Sequence, residues 1–122
     1  MNQVVLIGRL VRDPELRYSR NGIAVTTFTL AVDRPFISQN GDKVDFIDIV
    51  TWRKLAETVA NHLTKGRLVA VDGRLQIRSY DDKNGIRRKV SEIVADQVKF
   101  LDYADDNTGG GNSEPDYSDV PF

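Results

Sequence analysis

Several residue types are absent or scarce in this chain of 122 residues. Because it has no cysteine, the sequence excludes disulfide bonds and thiolate-bound metal, and with His62 as the single histidine it predicts no zinc site. No apolar run approaches the roughly 18 residues of a membrane span. The first residues, MNQVVLIG, lack the basic start and long apolar stretch of a secretion signal. We therefore expect a cytoplasmic protein that needs no cofactor.

Groupings of residues that could form a catalytic site are also missing. Asp45 and Asp48 are the nearest thing to a carboxylate pair within a strand, but their odd spacing places them on opposite faces, where they cannot share a metal. His62 has no acidic or nucleophilic partner and is interpreted as a helix-surface residue. There is no Gly-rich phosphate loop of the Walker or Rossmann type. The chain is therefore not expected to be an enzyme.

Positive charge is absent from one part of the chain. Residues 102–122 contain 6 acids and no Lys or Arg, a net charge of −6, whereas residues 1–101 contain all 17 Lys and Arg and 12 acids, a net charge of +5. The acidic part has almost nothing apolar to bury, so we expect a disordered tail, 102–122, after one folded domain, 1–101. A basic domain with an acidic tail suggests that the domain binds a polyanion and that the tail has a separate role. The alternative is an ordinary domain whose tail only increases its solubility.

The basic part of the chain is predicted to be mostly β-strand. Apolar residues dominate or alternate with polar ones in five segments, and β-branched residues are frequent in them. DPELRYSRNG is interpreted as a turn, since Asn21-Gly22 tolerates positive φ, and Pro35 ends the following strand. The predicted strands are residues 2–11, 23–34, 44–52, 67–80 and 86–95, with a short final piece at 96–102.

One segment between the third and fourth strands has a helical period. Leu55, Val59 and Leu63 recur at i, i+4 and i+8 and predict an amphipathic helix that ends at Gly66. Parallel α/β folds need a helix between most strands, so an order of three strands, one helix and two strands does not suit them. The order instead predicts an antiparallel sheet closed into a small barrel, and the five-stranded Greek-key OB-fold has this pattern.

Alternation along two of the strands separates a core face from an outer face. Ile47 and Ile49 share one face of the third strand, which we assign to the core. The core positions expected on the fourth strand are Val69, Val71, Leu75 and Ile77. The outer face would then carry Phe46, Asp48, Val50, Trp52, Arg74, Gln76, Arg78 and Tyr80.

Aromatic and basic side chains on one face suit single-stranded nucleic acid. Bases stack on aromatic rings at roughly 1 to 3 kcal/mol each, and Lys and Arg neutralise phosphates. On this reasoning Phe46 and Trp52 are candidates for stacking, and Phe36, in the loop before their strand, is a further one. The alternative is that Phe46 and Trp52 cover the end of the barrel or an oligomer interface.

Four stretches of the sequence resemble the bacterial single-stranded DNA-binding proteins, and the resemblance extends over essentially the whole chain. In order they are MNQVVLIGRLVRDPELRYSRNG, FIDIVTWRKLAETVANHLTKG, GRLQIRSYDD and the final DVPF. The resemblance implies an OB-fold, a homotetramer and binding of single-stranded DNA without sequence specificity, in a nucleoid-associated protein. It also implies a disordered tail whose tip recruits replication, recombination and repair proteins.

The family's functional residues carry over to positions of this sequence. The resemblance implies base stacking by Phe36, Phe46, Trp52 and Tyr80. The candidate phosphate contacts are Arg34, Arg53, Lys54, Arg74, Arg78, Arg87 and Arg88. The partner-binding tip would be Asp119, Val120, Pro121 and Phe122. Phe122 would dock its ring and carboxylate into an apolar pocket ringed by basic residues of a partner.

Three features depart from the family's pattern. Asp48 lies between Phe46 and Trp52, where a neutral or basic residue would suit DNA better, so either a neighbouring Arg pairs with it or the DNA path avoids it. The final SDVPF has a single acid where several are usual, which predicts weaker partner binding. The tail is also short for the family. These shortfalls of the tail and its tip fit a phage-encoded or secondary copy as well as a main cellular one.

Two other functions stay open at this point. An OB module for RNA or for double-stranded DNA junctions would share the same outer face but favour other ligands, and competition between oligonucleotides distinguishes it. An interaction-dedicated protein such as a primosome accessory subunit would need no stacking residues.

Overall fold

Six β-strands and one α-helix make up the part of the chain that the computed structural model describes, residues 1–36, 39–41 and 43–102. In chain order they are β1 (Val4–Leu10), β2 (Glu15–Tyr18), β3 (Ala24–Asp33), β4 (Val44–Trp52), α1 (Arg53–His62), β5 (Leu68–Asp81) and β6 (Arg87–Phe100). All five predicted strands and the predicted helix are present. The segment expected to be only a turn also contains β2, and the expected final piece is a continuation of β6.

Five of these strands close into a barrel. β1 pairs with β5, β5 with β6 and β3 with β4, all antiparallel, whereas β4 and β6 pair in parallel at Ile49↔Ile93 and Val50↔Val94. The ring closes where β1 crosses β3 at Leu10↔Leu30. β2 pairs only with β3, outside the ring. A closed barrel of five strands with a helix between the third and fourth of them is the OB-fold, as the sequence predicted.

Two glycines allow strands of the barrel to cross at close range. A Cβ atom on Gly8 of β1 would lie 2.4 Å from the backbone oxygen of Ala31 on β3. A Cβ on Gly73 of β5 would lie 2.2 Å from the backbone oxygen of Val94 on β6, next to the register shift between Asp72 and Gly73. Only glycine fits these positions without moving the neighbouring backbone, so they fix the curvature of the sheet.

The core fills the barrel, and the predicted core residues of β4 and the first half of β5 belong to it. Ile49, Val69 and Val71 are fully buried, and Ile47 packs against them. Leu75 and Ile77, also predicted to be core, are instead 43% and 59% exposed. The reason is the length of β5, because its pairing with β1 ends at Gly73 and the rest of the strand extends beyond the barrel with β6.

The helix closes one end of the barrel through Ala56 and Val59, which are fully buried. Its position is fixed by a buried hydrogen bond in which the Thr26 hydroxyl of β3 donates to the backbone oxygen of Ala56 at 2.7 Å. The helix ends at His62, not at Gly66 as predicted, because Leu63 is already extended with φ −105° and ψ 146°. His62 is exposed, as expected, and its ring lies 6.3 Å from that of Phe100.

The last described residue, Asp102, is bonded to the barrel, although the charge pattern grouped it with the tail. One carboxylate oxygen accepts the backbone N–H of Leu68 at 3.1 Å and lies 3.2 Å from Nε of Arg67. The other oxygen accepts from Arg9 of β1 at 3.2 Å. Asp102 therefore ties the end of β6 to β1 and to the start of β5.

Candidate nucleic-acid interface

The outer face of the sheet is formed by residues that alternate with the core residues of four strands. On β6, Ile93 points into the core, so Glu92 and Val94 point outward, opposite Gln76 and Arg74 of β5. On β3, Phe28 and Leu30 point inward, which turns Thr29 outward beside Asp48 of β4. We use "outer face" for these outward residues, which are Thr27, Thr29, Phe46, Asp48, Val50, Trp52, Arg74, Gln76, Arg78, Tyr80, Val90, Glu92 and Val94.

The four predicted stacking residues are exposed aromatic side chains. Phe36 and Phe46 are 75% and 69% exposed, and Trp52 and Tyr80 are 44% and 46% exposed. Phe46 and Trp52 lie on the same side of β4, six residues apart, which places them about 20 Å from each other along the strand. Tyr80 lies near the end of the β5–β6 hairpin, opposite Arg88. The aromatic rings are therefore spread over the outer face and the loop beside it.

Val50 is the outer-face residue whose environment differs from the expectation. It lies between Asp48 and Trp52 on the predicted side of β4 but is only 7% exposed. Thr27 of β3 and Val94 of β6 are its partners in the sheet and cover it from both sides. The middle of the outer face is therefore a depression, with Phe46 and Trp52 at its two ends along β4.

Ion pairs divide the seven predicted phosphate contacts into two groups. Four of the arginines each pair with a carboxylate. Arg53, Lys54 and Arg74 form no ion pair within the described part of the chain. Because their charge is not offset locally, these three are the strongest candidates for phosphate binding. The N–O distances in the four pairs are 2.7 Å for Arg34–Asp45, 2.8 Å for Arg78–Glu92, 3.6 Å for Arg87–Asp81 and 2.9 Å for Arg88–Asp82.

The junction of β4 and α1 places an aromatic residue and two free cations in direct succession. Trp52 is extended, with φ −125°, and the next residue, Arg53, begins the helix with a φ of +61°. A positive φ is uncommon for a non-glycine residue and carries strain, and such strain persists where the surrounding structure over-determines it. The turn between strand and helix therefore takes a single residue, and Lys54 follows within the first helical turn.

The tip of the β5–β6 hairpin is held by Asp82. One of its oxygens accepts the backbone N–H groups of Asn84 and Ile86, both at 2.9 Å, and the other accepts from Arg88. The N–H of Ile86 and the guanidinium of Arg88 hold the pKa of Asp82 below its ordinary value. A lowered pKa means that the carboxylate stabilises the hairpin at neutral pH and loses this effect only as the solution becomes acidic enough to protonate it.

A cleft of about 290 Å³ opens in the depression of the outer face. Sequence reasoning missed several of the residues that line it. Glu92 could have been found by extending the alternation to β6, but Arg12 follows the end of β1, where no periodic pattern applies. Its guanidinium lies 3.4 Å from the Thr29 hydroxyl, which in turn donates to Asp48 at 2.9 Å. Asp48 is thus bonded to a threonine and is not paired directly with an arginine.

Among the described residues there is no group of three His, Cys, Asp or Glu residues that could hold a metal ion. Within the same ranges, no helix is long and apolar enough to cross a membrane. Stacking surfaces, cations and a cleft are thus the features that this face offers to a partner.

Comparison with known proteins identifies the family. The model of the single-strand binding protein family matches residues 1–101, which is most of the chain. The chain belongs to this family. Family members are binding proteins, and this supports the expectation that the chain is not an enzyme. The predicted tip, Asp119 to Phe122, lies outside the described residues.

Individual members of the single-strand binding family are similar over nearly the whole chain. A single-stranded DNA-binding protein of Halalkalibacterium halodurans is 55% identical over 114 residues, which are 93% of this chain and 68% of that protein. Single-stranded DNA-binding protein A of Bacillus subtilis is 52% identical, over 98% of this chain and 68% of its own length. The corresponding protein of Clostridium tetani is 48% identical, over 100% of this chain and 85% of its own length.

Proposed function

We propose that this chain binds single-stranded DNA without sequence specificity and protects it during replication, recombination and repair. The observation that carries the proposal is that the outer face, the loop before β4 and the start of α1 together present exposed aromatic rings and three cations with no carboxylate partner among the described residues. Stacking on rings is tolerant of sequence because every base has a π-face, and cations hold the phosphates between successive bases. The names of the similar family members support the same ligand.

The residues proposed to stack on bases are Phe36, Phe46, Trp52 and Tyr80. Arg53, Lys54 and Arg74 are proposed as the principal phosphate contacts, because their charges are free. Arg34, Arg87 and Arg88 would contribute by exchanging a carboxylate for a phosphate. Such an exchange is inexpensive for exposed pairs, since a surface ion pair contributes only about 0 to 1 kcal/mol. Arg78, whose partner Glu92 is only 7% exposed, would contact a phosphate while it stays paired with that carboxylate.

We further propose that residues 1–101 form the DNA-binding domain and that the remainder acts as a partner-recruiting tail. Phe122 would be the apolar anchor of its tip, with the acids upstream providing electrostatic attraction to basic partner surfaces. Assembly into a homotetramer is proposed from the resemblance to the family. A DNA ligand would place the protein in the cytoplasm, at the nucleoid.

Removal of one free cation tests the proposed phosphate contacts. Arg74→Ala should weaken the binding of all single-stranded sequences to a similar extent, because phosphates are common to them. The slope of log K against log salt should become less steep by about 0.7, the value for one phosphate contact on a single strand. Fluorescence titrations with several oligonucleotides at a series of salt concentrations measure both quantities.

Lys65→Ala is the matched control, since it removes one exposed charge from the turn between α1 and β5. It should leave the salt slope unchanged. A change in sequence preference in Arg74→Ala, with the slope intact, would show that Arg74 contacts bases. Parallel titrations with RNA and with duplex DNA distinguish the proposed ligand from those of other OB modules.

Deletion of Pro121 and Phe122 tests the proposed tip. The variant keeps every acid, so its affinity for DNA should stay the same while capture of replication proteins from a bacterial lysate is lost. Deletion of residues 103–122 also removes 5 acids but leaves Asp102, which is bonded to the barrel. It should bind DNA equally or more tightly at low salt, and the gain should fade as screening increases. Unchanged capture by the two-residue deletion would contradict the role of Phe122.

A further inference from the structure

A second concave site lies on the far side of the β4–α1 junction from the outer face, between the β2–β3 hairpin and the start of α1. We call it the hairpin groove, and its volume is about 270 Å³. Arg53 and Lys54 are also proposed phosphate contacts, so the groove adjoins the interface already described. Its walls are Tyr18, Gly22 and Ile23 of the hairpin and Arg53, Lys54 and Glu57 of α1.

The ring of Tyr18 lies on the helix side of the sheet, whereas Trp52 lies on the outer face. Tyr18 pairs with Ala24, which is only 5% exposed. It shares the alternation of Leu16, and the partner of Leu16, Thr26, donates its hydroxyl hydrogen to the backbone of α1. Only β3 separates β2 from β4, so about 10 Å lies between the backbones of Tyr18 and Trp52. A strand that passes over the single-residue turn at the end of β4 therefore reaches both rings.

The groove is positively charged. Arg53 and Lys54 are exposed and form no ion pair within the described part of the chain, and they outnumber Glu57. Arg20, exposed in the turn of the hairpin beside Gly22, likewise pairs with no carboxylate among the described residues. An excess of unpaired cations attracts an anion, and a phosphate already bound at the β4–α1 junction would lie at the entrance of the groove.

Tyr18 adds an aromatic surface to these cations. It is 62% exposed, so most of the ring is available to a ligand. A base stacks on such a ring whatever its identity, because every base has a π-face. The volume of the groove is near the lower end of the range for small-molecule sites, about 300 to 1,000 Å³, which suits one base. The groove thus repeats, on the other side of the sheet, the combination of ring and cation that the outer face presents.

We propose that the hairpin groove is a further binding site for single-stranded DNA, in which one base stacks on Tyr18 while the adjoining phosphate contacts Arg53 or Lys54. This inference rests on the proposed binding of single-stranded DNA. It extends the bound strand from Trp52 around the β4–α1 junction to the opposite side of the sheet.

Binding of a labelled dT oligonucleotide of about 16 nucleotides to the full chain, measured by anisotropy, tests the site. Tyr18→Ala should weaken binding about five-fold or more, the effect of losing one base–aromatic stack. Tyr18→Phe keeps the face of the ring and should recover most of this loss. Val5→Ala is the control, because Val5 is 53% exposed on β1 and lines neither the groove nor the outer face. It should leave the affinity unchanged.

The emission of Trp52 separates this inference from the proposed function. Saturating oligonucleotide should quench it as fully in Tyr18→Ala as in the native chain, because the outer face is still occupied. If Tyr18→Ala binds as tightly as the native chain, the inference is wrong and the proposed function stands. Tighter binding by Tyr18→Ala would show that the groove holds a competitor such as the acidic tail, which also overturns the inference. A native chain that neither binds nor is quenched overturns both.

Glu57→Lys tests the groove independently, and it decides if thermal unfolding shows that Tyr18→Ala does not fold. The substitution replaces an exposed acid of the groove with a cation. The slope of log K against log salt should become steeper by about 0.7, the value for one additional phosphate contact on a single strand. An unchanged slope would mean that the DNA does not enter the groove.

Discussion

Replacing Trp52 by Ala should weaken the binding of single-stranded DNA by about 1 to 3 kcal/mol, the range for loss of one base–aromatic stack. The ring of Trp52 is 44% exposed at the end of β4, and the free cations Arg53 and Lys54 follow it directly. Because the ring contributes little to the core, the free energy of unfolding should change much less than the free energy of binding.

Trp52 is also the only tryptophan of the chain, so its emission reports on its own contact. In the native protein, single-stranded oligonucleotide should quench this emission strongly and duplex hardly at all. The affinity of the Trp52→Ala variant is measured by anisotropy of a labelled oligonucleotide. Val5→Ala is the control, since Val5 is 53% exposed on β1, opposite Asp72 and away from the outer face. Equal quenching by both nucleic acids, or a Trp52→Ala chain that does not fold, would contradict the stacking role.

Replacing Gly73 by Ala should lower the free energy of unfolding by about 1 to 3 kcal/mol or more, as overpacking of a tight site does. The new methyl group would lie 2.2 Å from the backbone oxygen of Val94 and 2.9 Å from the Cα of Ala95, so β5 and β6 would have to separate. Urea unfolding measures the loss. For a folded part of this size, a loss of 1 kcal/mol corresponds to a decrease in Tm of about 4 to 8 °C.

Gly85→Ala is the comparison that isolates the steric cause. Gly85 has a φ of +77° in the hairpin turn and no atom near the position of an added Cβ, so its replacement introduces backbone strain without a clash. Gly8→Ala, with its Cβ 2.4 Å from the oxygen of Ala31, should behave like Gly73→Ala. If Gly73→Ala costs no more than Gly85→Ala, the close approach of β5 and β6 does not limit the barrel.

The barrel could be predicted because the alternation of apolar and polar residues is visible within each strand of the sequence. Alternation in β4 is long and regular enough to assign Ile47 and Ile49 to the core and Phe46 and Trp52 to the outer face. β2 was not predicted because its four residues are too few to show an alternation of apolar and polar side chains. Leu16 is the one residue of β2 that is partly buried.

The errors concern features that depend on distant neighbours. Alternation assigns Leu75 and Ile77 to the core side, but it does not reveal that β1 stops pairing with β5 at Gly73 and leaves them uncovered. The burial of Val50 depends on β6, which is more than 40 residues away in the chain.

The candidate site was predictable in its residue types and less so in its electrostatics. Strand parity and the resemblance indicate which aromatic and basic residues are exposed, but ion pairs form between specific side chains in three dimensions. Nothing in the sequence indicates that Arg78 is held by Glu92 while Arg74 is free. For the same reason the cleft, which joins residues from several strands and from the segment after β1, has no sequence signal.

The direct junction of β4 and α1 has a consequence for the thermodynamics of binding. Ordering a flexible loop costs free energy when a ligand binds, about 0.5 to 1.5 kcal/mol for each side chain that is immobilised. Here the backbone of Trp52 is fixed by β4, that of Lys54 by the helix, and Arg53 is held between them at a positive φ. The protein side of this contact is thus preorganised. The backbone entropy lost on binding at this position falls mainly on the DNA, while on the protein side the exposed side chains of Arg53 and Lys54 are what is ordered.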